Sequence, residues 1–79
     1  MELKDILHTI HHRIEAKERA RISQASMAER VGVSPRTYLE YLRGTNAPIG
    51  MLALLKLLSQ LDDRELVTVI REWHNETSI

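Results

Sequence analysis

The chain has 79 residues, no cysteine and a formal net charge of zero, a composition that excludes a disulfide framework and a cysteine-based zinc site. This length predicts one domain over residues 1–79 with a marginal core, for which oligomerisation is expected. The longest apolar stretch, residues 49–55, is too short to cross a membrane, and no signal peptide is visible, so we expect a soluble, cytoplasmic protein.

The first predicted element is a helix from about Leu3 to Arg19. Its apolar residues recur at helical spacing and are Leu3, Ile6, Leu7, Ile10 and Ile14. Three histidines lie on the same helix, and His8 and His12 have the i,i+4 spacing with which two imidazoles can share a metal ion. Because Glu15 is the only nearby candidate for a third ligand, we expect His8, His11 and His12 to form a solvated polar face and no metal site.

The stretch QASMAERVGVSPRTYLEYLRG predicts two short helices joined by a tight turn, an arrangement that places one helix in the DNA major groove. Gly32 stands where a chain that leaves a helix needs a positive φ. Ser34 and Pro35 then fit the N-cap and the first position of the second helix. Ser23 fits the N-cap of the first helix. The inward-facing residues of that first helix are predicted to be Met27, Ala28 and Val31.

These residues resemble the helix-turn-helix of the Xre/Cro family, the fold of the lambda-type phage repressors. The residues in register with the family pattern are Gln24, Met27, Ala28, Gly32, Val33, Ser34, Thr37 and Gly44. With a helix before and a helix after the motif, the resemblance covers about residues 3–61. It implies an all-α, five-helix lambda-repressor-like domain with a central helix-turn-helix.

The resemblance also implies that the second motif helix enters the major groove. Arg36 would bond guanine O6 and N7 together, and Leu39 would meet a thymine methyl group. Glu40 would either accept from a cytosine amino group or hold Arg36 at i,i+4. The predicted DNA-binding residues are Gln24, Ser34, Pro35, Arg36, Thr37, Leu39, Glu40, Arg43, Thr45 and Asn46.

The opposite side of this helix is predicted to face the core through Tyr38 and Tyr41, with the hydroxyls reaching the surface. Leu39 and Leu42 are predicted to lie outside that face. Leu42 also departs from the family pattern, in which an acidic residue often stands here and pairs with a cation on the first helix. The position of that cation falls near Lys17 in this chain. Because Leu42 carries no charge, we expect this salt bridge to be absent.

The C-terminal part predicts two further helices after a loop at residues 43–49. The fourth spans about Ile49 to Gln60, and the fifth begins at a capping box of Asp62 and Glu65 and ends at about Asn75. The leucines of the fourth helix are spread around too much of its circumference to share one buried face. We therefore predict a dimer surface, which includes the segment 61–79. Its residues are Leu54, Leu57, Leu58, Leu66, Val69, Ile70 and Trp73. Trp73 alternatively covers the core of the monomer.

Charge is distributed unevenly although its sum is zero. Residues 13–43 carry seven Lys or Arg and four Glu, a net +3, whereas residues 44–79 carry three Lys or Arg and five Asp or Glu, a net −2. This polarity favours presentation of the motif to a phosphate backbone.

The predicted function is a sequence-specific, DNA-binding transcription regulator: a repressor that binds a palindromic operator in double-stranded DNA as a homodimer and needs no cofactor. The alternative is an antitoxin or adaptor that acts mainly through protein–protein contacts, which the neutral charge, the leucine excess and Glu40 favour. An enzyme is not predicted, because the sequence contains no phosphate loop, nucleophile–base pair or metal cluster.

Overall fold

The computed structural model describes residues 1–77, which form five α-helices and no strand. In chain order the helices are α1 (Leu3–Glu18), α2 (Gln24–Val31), α3 (Pro35–Arg43), α4 (Ile49–Leu58) and α5 (Asp63–Thr77). The all-α, five-helix prediction is therefore confirmed. The boundaries differ only at helix ends, where α4 ends earlier and α5 continues further than the sequence indicates.

The N-caps of the two motif helices and the glycine that ends the first of them are the predicted ones. The Ser23 hydroxyl accepts a hydrogen bond at 3.0 Å from the backbone N–H three residues ahead, and the Ser34 hydroxyl does the same at 3.1 Å. Gly32 and Gly44 end α2 and α3 in the left-handed region, each with a φ of 78°. Each cap satisfies backbone groups that the helix itself leaves without a partner, so local sequence determines where the motif helices begin and end.

A Cβ atom at position 32 would meet no atom within 4 Å, so lack of space does not explain the glycine. Gly32 is needed because its backbone has a positive φ. We expect Gly32→Ala to lower the free energy of unfolding by about 1–2 kcal/mol, because an L side chain is strained at positive φ. Urea denaturation measures this loss. The control is Gly50→Ala inside α4, where a Cβ also has open space and stability should not fall. Equal changes in the free energy of unfolding in the two variants would contradict the assignment of Gly32 to the turn.

The chain divides into two compact units, Met1–Pro48 and Ile49–Ile79, which we call the N-terminal and C-terminal units. The prediction of a single domain over residues 1–79 remains a prediction. In the N-terminal unit, α3 packs against both α1 and α2. The core cluster of this unit consists of Ile22, Met27, Ala28, Tyr38 and Leu42, with Leu7, Ile14, Val33 and Tyr41 packed against it.

Two predictions about the core of the motif were wrong. Leu42, expected outside the core, is only 4% exposed, and Val31, expected inside, is 59% exposed. At about 100° per residue, Tyr41 and Leu42 lie on either side of Tyr38, so the inward face of α3 is wide enough for all three. Val31 is the last residue of α2, and Val33 beyond the turn packs against the core instead.

The inward face of α1 also differs from the expected apolar stripe. Ile10 is 47% exposed, whereas His11 is 7% exposed. Leu3, Leu7, His11 and Ile14 follow i, i+4, i+8 and i+11 along one side of a helix. A histidine therefore occupies a core-facing position of α1, and the predicted solvated histidine face was wrong at His11.

In the C-terminal unit, the predicted capping box at the start of α5 is present. The Glu65 N–H donates to the Asp62 carboxylate at 2.8 Å, and the Asp62 N–H donates to the Glu65 carboxylate at 3.1 Å. No described side chain of α4 or α5 is fully buried. Across residues 1–77, no helix has both the length and the apolar character of a membrane span.

Candidate nucleic-acid interface

The outward side of α3 carries the residues predicted to contact bases. Pro35 and Arg36 are exposed, and Leu39 and Glu40 are half-buried; we call these four residues the reading face. The Arg36 side chain is 89% exposed, and its Nε lies 3.9 Å from a Glu40 carboxylate oxygen. At this distance the two side chains form an ion pair at most and no hydrogen bond, so the N–H donors of the Arg36 guanidinium remain available.

The other predicted DNA-binding residues lie on three parts of the chain: α2, α3 with its N-cap, and the segment after α3. Gln24 is exposed at the first position of α2, and Arg43 is exposed at the last position of α3. Thr37 is half-buried, and its hydroxyl receives a hydrogen bond from the Ser34 hydroxyl at 2.8 Å. After α3, Thr45 is exposed and its hydroxyl donates to the Glu40 carbonyl at 3.3 Å, while Asn46 is half-buried.

The opposite side of α3 is fixed in the core of the N-terminal unit. Tyr38 is 5% exposed and Leu42 is 4% exposed, and both belong to the core cluster. Since these residues lie one helical turn apart, the helix is held along its length while Arg36 points away from the core. The geometry suits a rigid helix that offers its outer side chains to a ligand surface.

His11 makes two buried hydrogen bonds that sequence reasoning missed. Its Nε2 lies 2.8 Å from the Ile22 carbonyl oxygen, and its Nδ1 lies 2.7 Å from the Tyr38 hydroxyl. A carbonyl only accepts, so in the neutral ring Nε2–H donates to Ile22 and the Tyr38 hydroxyl donates to Nδ1. The spacing of Leu7, His11 and Ile14 was the available signal that this histidine faces inward.

His8 makes a second contact from α1 to α3. Its Nε2–H donates at 2.9 Å to the carbonyl oxygen of Leu42, which is one of the last four carbonyls of α3 and therefore lacks an intrahelical partner. The His8 and His12 rings are stacked, with centroids 6.3 Å apart. Within residues 1–77, no group of three or more His, Cys, Asp or Glu side chains is arranged to hold a metal ion.

Glu15 connects α1 to the segment that leads into α2. Its carboxylate accepts from the Ile22 N–H at 2.8 Å and from His12 Nδ1 at 3.1 Å. The backbone hydrogen bond from Ile22 is the main cause that lowers the pKa of Glu15 below its ordinary value of 4.5, and the His12 hydrogen bond adds to it. Hydrogen bonds to the carboxylate stabilise the ionised form. Ile22 therefore has both its N–H and its carbonyl held by α1.

This lowered pKa predicts a pH dependence of stability. Because the folded-state pKa lies below the unfolded one, Glu15 stabilises the fold above about pH 4.5 and loses this contribution as the pH falls through the folded value. We expect Glu15→Gln to reduce stability at neutral pH and to flatten the decline below pH 4.5. Urea denaturation between about pH 7 and pH 3 measures both effects. A variant curve parallel to that of the wild type would contradict the assignment.

A bidentate ion pair joins α1 to α2. The Arg30 guanidinium donates to both Glu18 carboxylate oxygens, at 2.5 and 2.8 Å. Hydrogen bonding to Arg30 lowers the pKa of Glu18, and the same contact raises the pKa of Arg30. The two residues are twelve positions apart, so no local pattern indicated this pair.

A family model described as Helix-turn-helix, of the Xre/Cro type, matches residues 14–65. The match begins near the C-terminal end of α1, includes all of α2, α3 and α4, and ends at the start of α5. It contains the whole reading face and both capping serines. No curated protein and no solved structure matches the chain.

Proposed function

The chain belongs to the Xre/Cro-type helix-turn-helix family of DNA-binding transcription regulators, and from this premise we propose that it is a repressor that binds a palindromic operator as a homodimer in the cytoplasm. In this proposal α3 is the recognition helix. The reading face contacts base edges, and Gln24, Thr37, Arg43, Thr45 and Asn46 contact the phosphate backbone.

The observation that carries the proposal is the exposed Arg36 guanidinium on a helix whose other side is buried. Arg36 lies in the first turn of α3, the part of a recognition helix that meets base edges. Its five N–H donors fit guanine O6 and N7 in a bidentate contact. The net +3 of residues 13–43 supplies the sequence-independent attraction to phosphate.

The dimer proposal rests on the apolar residues of the C-terminal unit. Leu54, Leu57, Ile70 and Trp73 are each more than half exposed, and α5 is a 15-residue helix without a buried side chain. An isolated helix of this length is marginal in water, so a covering surface stabilises it. We propose that a second copy supplies this surface through Leu54, Leu57, Leu58, Leu66, Val69, Ile70 and Trp73. Two-fold pairing would then place two recognition helices on one DNA duplex.

Selection of duplexes from a random DNA pool tests operator binding and symmetry together. We expect an inverted repeat with half-site centres about 10 base pairs apart, or a multiple of this distance, and an affinity that falls steeply with salt. Sedimentation of the wild type and of Leu57→Glu tests the interface, and only the wild type should form a dimer. Recovery of no enriched sequence would overturn the repressor proposal, and a dimeric Leu57→Glu would overturn this interface.

The second candidate is an antitoxin or adaptor that uses the same apolar residues to hold another protein. Trp73 is 62% exposed, and tryptophan is enriched at interface hot spots. Co-purification from the native host, with and without Trp73→Ala, distinguishes this candidate from the repressor. An adaptor should retain a stoichiometric partner that the variant loses, whereas a repressor should purify as a homodimer.

A further inference from the structure

We infer that His8 and His11 are positioning residues for α3, which set the orientation of the recognition helix without touching DNA. The inference rests on the proposed function insofar as α3 is the DNA-reading element. We call the two histidines, with their hydrogen bonds to Tyr38 and Leu42, the histidine tether.

The tether holds α3 at two points. His8 and His11 are three residues apart on α1, so they share one side of that helix. They bond the Leu42 carbonyl at 2.9 Å and the Tyr38 hydroxyl at 2.7 Å. Tyr38 and Leu42 are one turn apart on α3. One hydrogen bond alone would not restrict rotation of the α3 axis about that point, whereas two hydrogen bonds one turn apart add to the core packing a restraint on the direction of the axis relative to α1.

The bonds of the tether are directional, and the buried bond between His11 and Tyr38 is also costly to leave unmade. Tyr38 and His11 are both at least nine-tenths buried, so a lost partner is not replaced by bulk water at no cost. Apolar packing among Leu7, Ile14 and Leu42 tolerates small rotations of one helix against another, but hydrogen bonds weaken when the angle at the donor departs from linearity. The tether therefore selects one arrangement from those that the apolar contacts permit.

The same imidazole also fixes the start of the other motif helix. His11 Nε2–H donates at 2.8 Å to the carbonyl of Ile22, the residue immediately before the Ser23 cap of α2. The Tyr38 hydroxyl and the Ile22 carbonyl are thus both hydrogen-bonded to the imidazole ring of His11 on α1. The Gly32 turn sets the angle between α2 and α3 locally, and His11 positions both helices against α1.

The experiment compares operator affinity with stability in variants that remove one bond at a time. His8→Leu removes the donor to Leu42, His8→Gln retains an N–H donor, and Tyr38→Phe removes the hydroxyl but keeps the ring. The control is His74→Leu, the same chemical change at an exposed side chain of α5 that takes no part in the tether. Kd for the selected operator is measured at a temperature at which circular dichroism shows each variant folded.

We expect His8→Leu and Tyr38→Phe each to weaken operator binding about 10-fold, with His8→Gln and His74→Leu remaining within about 2-fold of the wild type. Residual dipolar couplings of the α1 and α3 amides, measured without DNA, should show a changed angle between the helices in the first two variants only. Wild-type Kd and helix angle in folded His8→Leu and Tyr38→Phe would overturn the inference and leave the histidines a purely stabilising role.

The two measurements separate the failure of this inference from the failure of the proposed function. If the wild type binds no DNA sequence specifically, the repressor proposal falls, but the change in helix angle still decides whether the tether orients α3. If the wild type binds its operator and the angle does not change, the tether inference falls alone.

Discussion

Leu42→Ala is expected to lower the free energy of unfolding by about 2–5 kcal/mol, the range found for leucine truncations in protein cores. Leu42 is 4% exposed and lies in the cluster that joins α3 to α1 and α2. Truncation removes apolar contact and leaves a cavity that a small domain only partly closes. For a 79-residue chain this loss is a large fraction of the total stability.

Leu39→Ala is the matched control, since it makes the same chemical change on the same helix at a half-buried position of the reading face. We expect it to cost under about 1 kcal/mol of stability. Urea denaturation of both variants, with unchanged m-values, gives the comparison. Equal losses in the two variants would show that α3 is rotated about its axis relative to the arrangement described above.

Arg36→Ala is expected to weaken operator binding by about 1–3 kcal/mol and to relax the preference at one base pair. The loss follows from the removal of a bidentate donor that no neighbouring side chain replaces. Stability should change little, because the Arg36 side chain is 89% exposed. Kd measured by gel shift, against the selected operator and against every base at each position, gives both results.

Two further variants separate charge from base recognition. Arg36→Lys retains the charge but lacks the planar fork, so we expect it to lose base preference while keeping most non-specific affinity. Arg13→Ala removes an exposed positive charge from α1, outside the predicted interface, and should leave the base preference unchanged. Wild-type affinity in Arg36→Ala would show that the groove assignment is wrong.

The parts of the fold that the sequence predicted are those whose hydrogen bonds are local. The bonds made by the Ser23, Ser34 and Asp62 side chains span three residues, and a glycine at positive φ ends each motif helix. Such features depend on four or five neighbouring side chains and hardly at all on the rest of the chain. The positions of the motif helices could therefore be predicted closely.

The features that sequence reasoning missed depend on distant partners. His11 is polar, and its burial is stable only because Tyr38, 27 residues away, and Ile22, 11 residues away, complete its hydrogen bonds. The Glu18–Arg30 pair is likewise formed only when α1 and α2 are in contact. Without those partners, a polar side chain on a helix is best assigned to solvent, which is why the prediction failed at His11.

The reading face could be predicted only in part from the sequence. The exposure of Arg36 follows from the periodicity of α3, so the outward side could be predicted once the inward side was known. The inward side was only partly known, because Leu42 was placed outside it. Which bases the exposed side chains contact depends on a duplex, so those assignments remain predictions.

The double attachment of Ile22 has a consequence for the length of the connection between α1 and α2. Glu15 accepts from its N–H and His11 donates to its carbonyl, so this interhelical segment has a fixed register, unlike an ordinary surface loop. An inserted residue would break both bonds and leave a buried ring nitrogen without its acceptor. The connection should therefore tolerate changes of side chain but not of length.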